Sequence, residues 1–397
     1  MLKTENMINK NQFSSDGLVV KTVRTHEELR PHAEAWNDLA FNATHRLPDS
    51  SHAWIASYLE HQLEIGESWF CLFAYEHSTL VGVLPVIITP FKRTGRPYHK
   101  FRTPYNNQTG SVDFLIKPGL EKEVIPVFLD QLSQMQPACF SFEMRRLPEG
   151  SPILAIMGDG LKRLFSVSIF AGHGSYIKVE GSFDDFKARL RPNFKRNLRR
   201  QAQKIASLPG LSVSYLTGNT IDAEELSRFM QVESSSWKGN VGSAINQDVS
   251  LISFYKALTS RLRELGWLEW HFLEAEGKTI AATLAIRVNR SIVLLKTCYD
   301  EAYSAYSPGT YLFEKIFEQV FQSGEVDELN FLTDYSWNRN WQVIKRSYYD
   351  LFLYPSKPLS ILAGFIPLKI RLGLHQWPAL RRVYRFFRTH LVGAGRK

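Results

Sequence analysis

The chain has 397 residues, 44% hydrophobic and 22% charged; at ~100–200 residues per domain this length points to two domains, and so ordinary a composition excludes a disordered chain. No run reaches the ~20 apolar residues that a spanning helix needs, and three separated cysteines, Cys71, Cys139 and Cys298, build neither a disulfide framework nor a zinc site, which fits a reducing cytoplasm. The net charge of +9 looks like a nucleic-acid footprint until it is located: from Ser356 onward there are nine Lys/Arg and no acid, whereas 1–355 balances 39 basic against 39 acidic side chains, so the surplus belongs to the tail.

The polar leader, 1–17, lacks the apolar core of a secretory signal and is expected to be disordered. Leu18–Arg24 reads as a strand, and Thr25 as the cap of a helix over His26–Ala40 with Glu28 at the capping-box position. Trp69–Glu76 and Leu80–Thr89 are apolar, β-rich runs joined by a short polar link, the mark of a hairpin. Ser111–Ile116 reads as a further strand, Glu121–Met135 carries helical spacing, and Cys139–Arg145 returns to strand. This alternation predicts an α/β domain over 18–175.

The second half, 176–355, repeats the plan. A basic helical stretch, Phe183–Leu208, is interrupted at Pro192 and leads into a strand over Leu211–Leu216. A helix starting near Asp222 runs to the SSSWKG segment, and Phe254–Leu265 is another helix. Leu268–Glu276 and Ile280–Val288 form a second hairpin, in which Glu276, Thr279, Ile280 and Leu284 follow Glu76, Thr79, Leu80 and Leu84 by 200 residues. This suits a weak internal duplication, although two amphipathic hairpins resemble each other in any case. Ile292–Asp300 is the most strand-like run, and Phe313, Ile316, Phe317 and Val320 place one apolar face on a helix over Tyr311–Gln322. Glu328–Asp334 and Ser347–Tyr354 supply closing strands.

Ser307-Pro308-Gly309-Thr310 lies between that strand and that helix. Such a turn aims unpaired N–H groups and the positive end of the helix dipole at one point, a site for a phosphate. The same residues also suit an ordinary capped helix start, and neither GxGxxG nor GxxxxGK[ST] is present. Eleven histidines form no paired ligand pattern, so no metal is expected, and Cys298 reads as an inert buried thiol.

Four segments between Arg191 and Trp341 carry a family resemblance: LRPNFKRNLRRQAQK, SSSWKG, YDEAYSAYSPGTYL and NFLTDYSWNRNW. In order and separation they resemble the GNAT-type (Gcn5-related N-acetyltransferase) acyltransferases associated with cellulose and exopolysaccharide synthesis, the CelD-like group, which is similar to the FemABX aminoacyltransferases. The resemblance implies tandem GNAT-like domains of α/β (α+β) class, with mixed central sheets flanked by helices. It also implies transfer of an acyl group from a thioester, usually acyl-CoA, to an amine or hydroxyl of a sugar or envelope precursor. The donor-binding turn maps onto Ser307, Gly309, Thr310 and Tyr311. Where the family often has a Tyr-Lys pair before its final Trp, this chain has Trp337-Asn338.

Loss of a proton from the acceptor calls for a base, and Glu233, Asp300 and Asp334 stand at element ends where carboxylates can converge. Tyr299, Tyr303 or Tyr306 could protonate the departing thiolate. Trp237, Lys238 and Trp341 are candidates for the acceptor pocket. Arg196, Arg199, Arg200 and Lys204 form a basic helical stripe that suits substrate phosphates or, in a FemABX-like alternative, a tRNA acceptor stem; a solvated face fits equally. The tail over 358–392 is a basic amphipathic segment, with Leu380, Val383, Tyr384 and Phe387 on one side of a helix over Pro378–Val392. It suits the inner face of an anionic membrane. A cytoplasmic or peripheral enzyme follows, with a catalytically silent partner of a polysaccharide synthase as the reading from another class.

Overall fold

The apolar runs become strands of one sheet in the computed structural model, which describes residues 12–13, 17–93, 96–157, 164–218 and 224–376. The expected leader falls largely outside the described residues, as does the expected helix over Pro378–Val392. In the first half the strands are β1 (Gln12–Phe13), β2 (Leu18–Val23), β3 (Ser68–Glu76), β4 (Thr79–Arg93), β5 (Arg96–Arg102), β6 (Leu115–Ile116) and β7 (Cys139–Pro148). They are followed by β8 (Leu164–Lys178), β9 (Ser212–Thr217), β10 (Leu268–Ala275), β11 (Lys278–Val288), β12 (Ser291–Tyr299), β13 (Glu328–Asn330) and β14 (Ile344–Pro355).

The order across the sheet is β1-β2-β3-β4-β5-β7-β14-β8-β13-β12-β11-β10-β9, with β6 against β4. β2 through β5 pair antiparallel and β5 meets β7 in parallel. β9 through β12 likewise pair antiparallel and β12 meets β13 in parallel. A helix links each parallel pair, Glu121–Gln134 in the first half and Pro308–Ser323 in the second, as a parallel connection requires. The repeat hinted at by the two hairpins is therefore a repeat of topology.

The halves also exchange their last strands. β8 ends the first half yet pairs with β13 of the second, and β14 ends the second yet pairs with β7 of the first. The two exchanged strands lie side by side from Ile344↔Tyr176 to Pro355↔Leu164. The sequence boundary at 175/176 thus falls inside β8, at the crossing.

Apolar packing joins the halves as well. The His52–His61 helix sets Trp54 edge-on against Phe254 of the Val249–Glu264 helix, with ring centroids 5.9 Å apart. Arg261 donates to Ser57 at 2.8 Å and pairs with Glu60 at 2.6 Å along the same seam. Each fully buried large apolar side chain in this shared core contributes ~1.5–3 kcal/mol.

Several elements depart from expectation. The first helix breaks at Pro31 into His26–Leu29, a 3-10 turn and Ala33–Phe41, while Thr25 still accepts from the Glu28 amide. Of Ser111–Ile116 only Leu115–Ile116 is strand, and of Glu328–Asp334 only Glu328–Asn330. Ser111 of the first run and Phe331–Thr333 of the second leave the sheet to line one cavity.

Candidate active site between the two halves

β12 and β13 pair only at Ser291↔Glu328, Ile292↔Leu329 and Val293↔Asn330. The register of β12 against β11 shifts at the same level, from Leu284↔Lys296 to Ala285↔Leu294, which leaves Leu295 as a bulge. Bulges of this kind bend a strand away from its neighbour. Beyond the last pair, Leu294–Thr297 and Phe331–Thr333 form facing walls of a cavity of about 770 Å³. The first half closes it with Asp49, Tyr105–Gln108, Gly110, Ser111 and Arg146.

Separated strands leave main-chain groups without ladder partners, so side chains must support them. Asn330 Oδ1 accepts from the Leu332 amide at 2.8 Å. Ser175 Oγ donates to Thr333 O at 2.6 Å, and Asn338 Nδ2 donates to the same oxygen at 2.9 Å. From the first half, Arg146 donates to Leu332 O at 3.1 Å and lies over the Tyr348 ring at 4.7 Å. Arg146 and Leu332 both have left-handed backbone, with φ of 51° and 59°; each such residue costs ~1–3 kcal/mol and persists where the surroundings force it. A Cβ at Gly174 would lie 2.6 Å from the Tyr348 ring and 2.9 Å from Leu332 O, so only glycine lets β8 approach. Asn338 is a fully buried brace of this loop.

One wall of the cavity is cationic. Glu233, at 0% exposure, holds Lys238 Nζ at 3.1 Å and Lys296 Nζ at 3.4 Å on Oε1, and accepts from the Ile245 amide at 2.8 Å on Oε2. Burial pushes its carboxyl up, but the two lysines and the Ile245 amide pull it below the usual range. Burial lowers the Lys296 ammonium, with Lys238 adding to the effect against Glu233. Lys238 also donates to Thr297 O at 3.0 Å, which ties the SSSWKG segment to the opening of β12.

On the other wall, Asp49 Oδ2 accepts from the amides of Gly110 and Ser111 at 2.9 and 3.0 Å. Trp54 Nε1 donates to Thr109 Oγ1 at 2.8 Å, and Tyr255 donates to Gln108 Oε1 at 2.7 Å. Arg102, paired bidentately with Glu67 at 2.8 Å, reaches the Thr103 and Tyr105 carbonyls. These bonds fix the 103–111 loop as part of the wall.

The proposed donor turn is less open than expected. Ser307 is left-handed, at φ 54°, and Pro308 has no N–H to offer. The amides of Thr310 and Tyr311 both donate to Ser307 O, at 3.1 and 3.2 Å, so among the described residues Gly309 carries the orphan amide of the first turn. The Pro192–Ile205 helix supplements it: Gln201 donates to Ser307 Oγ at 3.0 Å and Lys204 to Ala305 O at 2.9 Å. Ser307, Thr310 and Tyr311 therefore offer side chains rather than free amides. The cavity reaches this helix one turn later, at Phe313.

Trp237, 56% exposed, and Lys238 line the cavity. Trp341 does not: it is 2% exposed, packed edge-on to Phe194 at 4.9 Å and Phe317 at 4.8 Å, a core residue. Trp337 and Tyr335 stand at the cavity instead. Arg196 and Arg199 are exposed, with Arg196 bonded to Asn193, and do not line it. The three expected bases are all engaged elsewhere. Glu233 sits behind its lysines, and Asp300 caps the following 3-10 turn through the Ala302 amide. Asp334 pairs with Lys345 at 2.8 Å and Arg339 at 3.3 Å. The Tyr299 ring packs near Gly309 and burial raises its hydroxyl.

Asp49, Arg146, Gln108, Tyr255 and Lys296 have no local motif that announces them. Lys296 alone leaves a trace, as a single charge inside the apolar run IVLLKTCY.

Residues 192–341 match the family model described as an acetyltransferase (GNAT) domain. A comparison with curated proteins gave no match. Among solved structures the chain is similar to FemX, with a TM-score of 0.58, 11% identity, and coverage of 86% of this chain and 99% of that one. It is also similar to the C-terminal domain of a putative lysylphosphatidylglycerol synthetase from Agrobacterium fabrum, with a TM-score of 0.53, 10% identity, and coverage of 86% and 97%. At these identities the likeness is one of fold, and the fold runs through both halves. Over 192–341 the chain is thus similar to GNAT acetyltransferase domains, within an α/β fold like that of FemX.

Proposed function

We propose that the chain transfers an acyl group from acyl-CoA to an amino or hydroxyl group of a sugar or cell-envelope precursor, in the manner of the CelD-like group. The observation that carries this reading is the parted β12–β13 pair, which opens unpaired main chain onto a cavity walled by both halves. The Gly309 amide, Gln201 and Lys204 would hold the donor's phosphates, and Leu294–Thr297 with Phe331–Thr333 would flank its acyl arm. When bound, the thioester supplies an activated carbonyl. The chain's own residues orient it, and the lysines on Glu233 favour anionic groups nearby.

Thermal unfolding with acetyl-CoA tests this. Ligand at ~100 times its dissociation constant adds ~2.7 kcal/mol to the folded state. Gly309→Val should abolish the shift and stay folded, because a Cβ there meets Tyr299 at an ordinary 3.4 Å. The exposed Arg196 and Arg199 suit the FemABX-like alternative of a charged tRNA donor; retention of tRNA with no acetyl-CoA shift would select it.

We place the enzyme at an anionic membrane surface. No helix among the described residues is long and apolar enough to cross a membrane. The helical segment 358–376 packs on the sheet through Phe365, Leu368 and Leu372 and leaves Leu359, Leu362, Ile366 and Ile370 outside, beside Lys357, Lys369 and Arg371. Apolar contact flanked by cations suits anionic lipid.

A further inference from the structure

We propose that Asp49, supplied by the first half, is the general base of the acyl transfer and that the group it deprotonates is a primary amine of the acceptor. This rests on the acyl-transfer reading above. Asp49 lines the 770 Å³ cavity yet is only 2% exposed. Its Oδ2 is held by the Gly110 and Ser111 amides. Its Oδ1 is buried with no hydrogen-bond partner among the described residues. An orphaned buried acceptor costs ~1–3 kcal/mol, so it calls for an occupant that donates to it.

The carboxylate is also held in place. Asp49 lies in the Pro48–Ser50 turn, and Ser51 caps the next helix by accepting from the Trp54 amide at 3.2 Å. The charged and titratable groups around it are Arg146, Tyr255 and Tyr348, with Lys238 and Lys296 on the far wall. Burial pushes the Asp49 carboxyl up to about 6, against the Ser111 and Gly110 amides, its own amide and Arg146. A base poised there is largely ionised at neutral pH and still able to accept a proton. Glu233 is excluded from the task by its two lysines.

The charge pattern selects the acceptor. Among the residues lining the cavity Asp49 is the acidic one, set against Arg146, Lys238 and Lys296, so its carboxylate is the anionic acceptor for the N–H of a neutral amine. The amine nitrogen then attacks the thioester carbonyl and forms the C–N bond, and its proton passes to Asp49 Oδ1. The C–S bond breaks, the thiolate takes a proton from solvent, and Asp49 returns its own to solvent. Thioester and amine become amide and thiol.

The test measures thiol release from acetyl-CoA by the full chain with D-glucosamine as the amine, between pH 5 and pH 9. Asp49→Asn keeps an oxygen for the two amides and removes the base. The expected result is a fall in kcat of ~10²–10⁴-fold, with loss of the rise in rate near pH 6 and an unchanged acetyl-CoA melting shift. Asp49→Ala should recover part of its rate with added formate, which a merely structural role would not allow. Turnover of Asp49→Asn within threefold of wild type, with the pH profile intact, overturns the proposal. So does joint loss of folding stability and donor binding in that variant. Wild type that binds acetyl-CoA but releases no thiol with D-glucosamine overturns the amine assignment, whereas wild type with no acetyl-CoA shift contradicts the acyl-CoA reading beneath it.

Discussion

Replacing Glu233 by Gln removes one negative charge from beneath two ammonium groups while preserving shape. At 3.1 and 3.4 Å from Oε1, each lysine gains ~5 kcal/mol of Coulomb energy at an effective dielectric of ~20, before desolvation is counted. The lysine side chains are 17% and 12% exposed, too buried for water to take over the role. Breaking such a cluster costs ~3–5 kcal/mol, because uncompensated charge stays inside. Urea unfolding followed by tryptophan fluorescence at pH 7 should show that loss, and Lys296→Met in the same background should recover much of it. The folded carboxyl is depressed, so its contribution is complete above the unfolded value near ~4.3 and fades as pH falls through the folded value. The gap between wild type and variant should therefore close in acid. A variant within ~1 kcal/mol of wild type at pH 7 would refute the reasoning.

Other outcomes follow from single contacts. Gly174→Ala should cost at least ~1–3 kcal/mol by thermal melting, since its Cβ would overlap Tyr348 and the Leu332 carbonyl. Trp341→Ala should cost ~3–5 kcal/mol, whereas the exposed Trp237→Ala should leave the melting temperature unchanged and raise an acceptor KM. Burial raises the Asp113 carboxyl to about 7, so wild type should lose stability as pH rises from ~4 to ~7; Asp113→Asn should be more stable at pH 8 by on the order of 2–4 kcal/mol in urea. Leu362→Glu with Ile370→Glu should abolish co-sedimentation with phosphatidylglycerol vesicles and leave folding intact; undiminished sedimentation would remove the membrane assignment.

The fold was largely legible because its hairpins are continuous apolar runs and its helices carry apolar faces, as in Phe313, Ile316, Phe317 and Val320. β5 and β8 escaped for physical reasons. β5, RPYHKFR, is rich in charge, and β8 carries Gly172 and Gly174 and mixes buried, half-buried and exposed positions, so neither shows a plain apolar run. The exchange of β8 and β14 has no sequence signature, since it depends on residues far apart in the chain, from Ile344 with Tyr176 to Pro355 with Leu164, meeting side by side. The site was legible only where a motif marks it. SSSWKG led to Trp237 and Lys238, which line the cavity. Asp49 and Arg146 become site residues only through the contact between halves, and Trp341 looks like a pocket residue until its neighbours Phe194 and Phe317 are seen.

Photocrosslinking with a benzophenone-acyl-CoA, mapped by peptide mass spectrometry, tests the donor's position in the parted strands most directly. Adducts are expected on Leu294–Thr297, Phe331–Thr333 or Phe313. Labelling confined to the first half, or spread over the surface and not displaced by acetyl-CoA, would contradict it.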